Sequence, residues 1–324
     1  MSENNQTLER ASLKFSSLEK YYRSHKKTID KNFFVFAFLA LPIFLFCIFY
    51  IYVNLDSFVM AFKATGTLSN GEVGEYWTLD NFKTIASILQ PNTDGMGLLS
   101  EAIINTLLFN VVNLLLILPC TILICYFITK KIFGYRLFRA VYYLPCVITG
   151  SALVALFKVV LHDAGPIETI AYIFNLDYVY PLSQEGSAIV TILIYNFLFG
   201  LGGNIIVIGG AMRAVDPQML EAGQIDGCNW FQEFIYIILP SIWPTISTIL
   251  ILSAAGFLGA SGPILPFTKG EYGTMTLAFY NFALISGQGA QANYYLASAI
   301  GLCMTIISFP FAMIVKKVLY GKEG

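Results

Sequence analysis

The sequence predicts an all-α, polytopic membrane protein with six transmembrane helices, and three observations predict it. The chain is 56 % hydrophobic and only 12 % charged, where a soluble domain carries about 25 % charged residues, and its mean hydropathy is +0.68. Six uncharged runs each offer the roughly 20 residues that an α-helix needs to cross a hydrocarbon core. The Lys and Arg residues gather at alternate ends of those runs. Lipid offers the backbone no hydrogen-bond partner, so each run must satisfy its own N–H and C=O groups as a helix.

In chain order the expected spans are 33–53, 103–128, 139–161, 187–212, 242–267 and 294–315, within a membrane domain of residues 33–318. Lys158, near the end of the third, is placed to snorkel. Segment 1–32 carries seven Lys and Arg, which puts the N-terminus in the cytoplasm by the positive-inside rule. It reads equally as an interfacial amphipathic helix over residues 7–27 or as a disordered basic tail. Six spans return the tail 319–324 to the same side. The loops agree: 15 of the 19 Lys and Arg fall inside, whereas the external segment 54–101 holds six acidic residues against Lys63 and Lys83. Within it, residues 78–89 read as an external helix, N-capped by Asp80 or Asn81 and lying on the outer interface.

Composition and spacing also exclude several classes. No long basic run outside the N-terminus suits nucleic acid. The six cysteines lack the CxxC spacing of a zinc or redox site, and His25 and His162 stand far apart; neither a metal nor a cofactor is expected. A membrane-embedded enzyme needs clustered His, Asp or Glu, yet the six runs contain none. A channel or secondary transporter would show intramembrane charges or an internal repeat.

The loop between spans four and five, residues 213–240, breaks the charge pattern, with Arg213 facing Asp216, Glu221, Asp226 and Glu233. Its residues spell two short helices. Asp216 is an N-cap followed by Pro217 at the first helical position, and Gly227 suits a left-handed cap after Ile225. Asn229 and Gln232 form a capping-box pair. Pro240 and Pro244 are expected to break or bend the junction with span five. From this chemistry alone, a partner-binding handle and a plain surface hairpin both stay open.

Glu221-Ala222-Gly223, three residues, Gly227, nine residues, then Ile237-x-Leu239-Pro240 resembles the EAA motif of permease subunits in bacterial binding-protein-dependent ABC importers. Gly223 stands where that pattern prefers alanine. Asp80-Asn81-Phe82, Asn105-Thr106-Leu107, Arg139 before Tyr143-Leu144-Pro145, and Gly270-x-x-Gly273-x-x-Thr276 resemble the carbohydrate-uptake class, notably the first permease of the maltose and glycerol-phosphate systems. Glu271-Tyr272 departs from that class in the last of these.

The resemblance implies a type I ABC importer permease fold in the bacterial cytoplasmic membrane. It implies four partners: a second permease, a cytoplasmic ATPase dimer, an extracytoplasmic solute-binding protein, and a sugar. Glu221, Ala222, Gly223, Asp226, Gly227, Ile237, Leu239 and Pro240 would couple to the ATPase, with Glu221 meeting a basic residue there. Gly200, Gly203, Asn204, Ser253, Gly256, Phe257 and Ala260 would line the substrate pathway, although helix packing through small residues explains each of them as well. The chain lacks the G-x-x-x-x-G-K-[ST] phosphate loop, so ATP is expected on a partner. Glycerol phosphate, a polyamine or a peptide is the alternative cargo.

Overall fold

A computed structural model describes residues 34–67, 73–90, 97–287 and 292–321; the basic segment 1–32 therefore lies outside the described residues. Six helical stretches are long and apolar enough to cross a membrane. The chain divides into a unit ending at Val59 and a unit beginning at Met60. In the first, helix α1 runs Phe34–Met60, past the expected end at Val53. It is apolar on every face and none of its hydrophobic window is buried.

The second unit opens with a β-hairpin, β1 (Lys63–Thr67) and β2 (Val73–Trp77), in antiparallel register with Lys63 opposite Trp77. These short strands are the only departure from an all-α chain among the described residues. Helix α2 (Asp80–Leu89) follows. Its N-cap position is Leu79, which makes no side-chain cap bond, and not Asp80 or Asn81; the Thr78 hydroxyl, one residue earlier, accepts from the Asp80 amide at 3.1 Å. Asn81 is buried and donates to the carbonyls of Ala61 and Lys63 at 3.0 and 2.8 Å, tying α2 to the hairpin. The apolar face of α2 turns to protein: Ile85 and Ile88 pack on the cluster of Leu99, Leu277, Leu296 and Ile300.

Helix α3 spans Leu98–Thr129 and is the spine of the unit. The third expected run is not one helix. It forms α4 (Tyr135–Val147) and α5 (Gly150–Leu161), separated by extended backbone at Ile148 and Thr149. Pro145, lacking an N–H, weakens the last turn of α4, and β-branched Ile148 and Thr149 favour extended backbone. After a turn, α6 (Pro166–Ile173) completes the third candidate crossing. Lys158 does not snorkel: its ammonium donates to the carbonyls of Pro266 and Phe267 at 3.2 and 3.1 Å.

Span four divides into α7 (Ser187–Gly200) and α8 (Ile205–Arg213), with a four-residue turn at Leu201–Asn204 where Gly202 and Gly203 weaken the helix. Next come α9 (Pro217–Ile225) and α10, the continuous helix Trp230–Ala255. Span five was expected at 242–267 but begins twelve residues earlier and stops at Gly256. Pro240 does not break it. The turn Phe234–Ile238 widens to π-helix, with the Leu239 amide bonding back to Phe234, and so absorbs the proline two residues on. Asn113–Ile117 does the same before Pro119.

Beyond α10 lie a 3₁₀ turn at Phe257–Gly259, the short α11 (Ile264–Phe267), α12 (Leu277–Ser286) and the last span α13 (Tyr294–Tyr320). Two further clusters hold the bundle. Phe109, Val154, Ile192 and Ile264 fill one end, and Ile122, Tyr126, Ile208, Phe234, Ile238 and Ile242 the end beside α9. In lipid such contacts act through close packing rather than exclusion of water.

Candidate functional site

The loop 213–240 is built residue by residue as its sequence spells it. The Asp216 carboxylate accepts from the Gln218 amide at 2.9 Å, capping α9 behind Pro217. At the other end Gly227 adopts φ +79°. Its amide bonds Gln224 at 3.2 Å, and the Cys228 amide reaches back to Gly223 at 2.9 Å. This pair of bonds is the Schellman termination, which needs a left-handed residue at its centre. Asn229 and Gln232 then exchange reciprocal bonds of 3.0 and 2.9 Å, opening α10. The cap bonds at Asp216, Asn229 and Gln232 and the Schellman pair at Gly227 and Cys228 are all made within the hairpin.

Gly223 lies within α9, on the side packed against α10. It is buried, and a Cβ there would lie 2.5 Å from Cδ1 of Ile237. The space left open at Gly223 is filled by the chain's own Ile237. Alanine fits only if Ile237 rotates away, which accounts for glycine at this position. Leu239 packs on the cluster around Ile242, while Pro240 is exposed.

The outer face of α9 is chemically mixed. Glu221, Ala222, Asp226 and Gly227 are all exposed. Ile225, one turn beyond Glu221, is 86 % exposed, and Met219 is 49 % exposed. The outer face of α9 thus sets the Glu221 carboxylate one helical turn from the bare Ile225 side chain. Ile225 escaped sequence reasoning, although its place four residues after Glu221 puts both on one face.

Glu233 also escaped it. Counted there among the loop's unexplained carboxylates, it is only 4 % exposed and pairs with Lys130 at the end of α3, Nζ to Oε1 at 2.6 Å and to Oε2 at 2.7 Å. Tyr126 reinforces the junction, donating to the Trp230 carbonyl at 3.1 Å and packing its ring at a 60° tilt against Phe234, centroids 5.2 Å apart. The signal in the sequence was a glutamate directly before an apolar helix, which needs a cation if it is to be buried.

The proposed pathway residues fall at two places where helical backbone is interrupted. Gly200, Gly203 and Asn204 belong to the turn between α7 and α8; Gly256, Phe257 and Ala260 belong to the segment after α10, with Ser253 exposed in its last turn. At membrane depth such backbone must be satisfied by protein, and α3 does this. Asn110 donates to the Phe257 carbonyl at 2.6 Å and Thr121 to the Leu201 carbonyl at 3.1 Å. Asn196 of α7 donates to Asn113 of α3 at 2.9 Å. The Phe257 ring is only partly exposed and packs against Phe311, centroids 4.8 Å apart. Gly202 serves the fold: a Cβ there would sit 2.7 Å from the Tyr142 carbonyl of α4.

On the opposite end, Asn105 donates to the carbonyls of Gly273 and Met275 at 2.9 and 2.8 Å, and the Thr106 hydroxyl accepts from the Leu277 amide at 2.9 Å. The Asn105-Thr106 pair thus clasps the turn containing Gly270 and Gly273, both at positive φ. The Glu271-Tyr272 departure is accommodated there with Tyr272 at φ +55°.

The bundle is similar to known proteins. The chain is 26 % identical over 247 residues to a probable ABC transporter permease of Mycoplasma pneumoniae, covering 72 % of this chain and 71 % of that one. It is 25 % identical over 287 residues to the multiple sugar-binding transport system permease MsmF of Streptococcus mutans, covering 87 % and 93 %. A bacterial ABC transporter that imports the acidic polysaccharide alginate has the same fold, with a TM-score of 0.75 and 23 % identity over 90 % of this chain and 97 % of that one. Residues 95–319 match one family across α3 to α13, the coupling hairpin included. The chain therefore belongs to the binding-protein-dependent transport system inner membrane components.

Proposed function

We propose that this chain is the transmembrane permease subunit of an ATP-driven importer that moves a sugar or oligosaccharide across the bacterial cytoplasmic membrane. The observation that carries the coupling part is the capped hairpin 216–240, which holds Glu221 and Ile225 outward on a helix fixed to span five. A sugar cargo is supported by the similarity to MsmF, a multiple sugar-binding transport system permease, and to the alginate importer. ATP hydrolysis belongs to a separate cytoplasmic ATPase dimer, a second permease completes the pathway, and an extracytoplasmic binding protein delivers the cargo.

Glu221 makes a charge-assisted contact with a basic residue of the ATPase, and Ala222, Asp226 and Gly227 shape the docking surface around it. Gly223, Ile237, Leu239 and Pro240 fix that surface to α10, so α9 and span five move together when the ATPase dimer closes. The interrupted backbone at Gly200–Asn204 and at Gly256–Ala260 faces the pathway with Ser253, its small residues leaving width for a sugar ring.

The test is Glu221→Lys in the complete transporter. Loss of the copurifying ATPase and of uptake is expected; unchanged uptake with the ATPase bound overturns the docking role. Uptake measured with a panel of oligosaccharides, glycerol phosphate, polyamines and peptides decides the cargo.

A further inference from the structure

Glu233 is the only charged residue among the buried residues described. It stands in the first turn of α10, and Lys130 caps the end of α3. The two are 103 residues apart in sequence and 2.7 Å apart in space. Around them Phe127 meets Trp230 with ring centroids 5.8 Å apart, and Tyr126 meets Phe234 at 5.2 Å. Glu233, left without Lys130, is a charge stripped of water and so resists separation, whereas Lys130 stays partly hydrated, its side chain being 30 % exposed against 6 % for Glu233. The junction therefore joins the root of the hairpin to α3. That helix in turn holds the interrupted backbone through Thr121 at Leu201 and Asn110 at Phe257.

We propose that Lys130 and Glu233 are positioning residues that clamp the coupling hairpin to α3, so that movement of the docked hairpin reaches the interrupted segments of the bundle through α3 as well as through α10. The inference rests on the coupling reading of the hairpin. Neither residue touches the ATPase in this scheme; both act on the permease alone. Lys131, the adjacent lysine, makes no ion pair among the described residues and serves as the control position.

The complete transporter in proteoliposomes is compared as Lys130→Glu, Glu233→Lys, the double swap Lys130→Glu/Glu233→Lys, and Lys131→Glu. The readouts are the ATPase retained and cargo taken up per ATP hydrolysed. Each single reversal is expected to retain the ATPase while uptake per ATP falls about tenfold, and the swap to recover most of the loss. Lys131→Glu is expected to leave the ratio unchanged. Single reversals that keep the ratio, or an assembled swap as impaired as either single, overturn the clamp. If the reversals do not assemble, Glu233→Gln is read instead: an assembled Glu233→Gln transporter with full uptake per ATP overturns it, and a lowered ratio supports it. Failure of the docking reading shows elsewhere, as Glu221→Lys keeping both ATPase and uptake.

Discussion

At the scale of single residues, three glycines of this chain do three different physical jobs. Gly227 supplies a left-handed backbone conformation, at φ +79°, that closes the Schellman turn. Gly223 supplies room for Ile237. Gly202 lets the Cys146 thiol and the carbonyl of Tyr142 approach: a Cβ there would collide with Sγ and lie 2.7 Å from the carbonyl oxygen, and the latter is backbone, which cannot rotate away. Gly202→Ala is therefore expected to destabilise the purified protein by about 1–3 kcal/mol, the usual range for an overpacked site. Gly203→Ala is the control, since its Cβ would meet nothing nearer than the Gly200 carbonyl at 3.6 Å. Thermal unfolding in detergent measures both, and an equal effect at the two positions contradicts the steric account.

At the scale of elements, the β1–β2 hairpin is held by charge rather than by a core. Lys63 pairs with Glu75 at 2.9 Å across the two strands, and the Tyr295 hydroxyl donates to the same carboxylate at 2.8 Å. The hydrogen bond from Lys63, then that from Tyr295, lowers the Glu75 pKa below the ordinary glutamate value. A carboxyl whose pKa is lowered by folding contributes fully above its unfolded pKa and loses that contribution as pH falls through the folded value. Hydrogen exchange of the strand amides, corrected for the intrinsic pH dependence of exchange, is thus expected to show protection lost on the acid side of the glutamate range and retained at neutral pH. Glu75→Gln should abolish that dependence. The pair is exposed and open to screening, so added salt should weaken it.

At the scale of the whole molecule, six candidate crossings and the distribution of Lys and Arg predict the hairpin 216–240 on the cytoplasmic side and the turn at Lys269 outside. In a cysteine-free background, Lys269→Cys is expected to react with a membrane-impermeant maleimide on intact cells. Glu221→Cys is expected to react only after permeabilisation. The opposite pattern reverses the orientation and removes the docking surface from the side where ATP is made available. Within the second unit, α3 provides the common reference: Asn105, Asn110 and Thr121 each donate to a carbonyl of another segment, at Gly273, Phe257 and Leu201.

The sequence by itself determined that the chain crosses a membrane six times and where its hairpin begins, turns and ends. Those features rest on local chemistry: uncharged runs of sufficient length, an Asp-Pro start, a glycine after Ile225, and an Asn–Gln capping box. Only the tertiary structure decided where helices stop inside the bundle. The breaks at Leu201–Asn204 and after Gly256 persist because side chains of α3, distant in sequence, donate to the carbonyls of Leu201 and Phe257. Continuity through Pro240 belongs to the same class, being a matter of π-turn geometry that composition does not reveal. The burial of Glu233 was illegible for a related reason, since a carboxylate in a loop reads as solvated until its lysine, 103 residues away, is brought beside it.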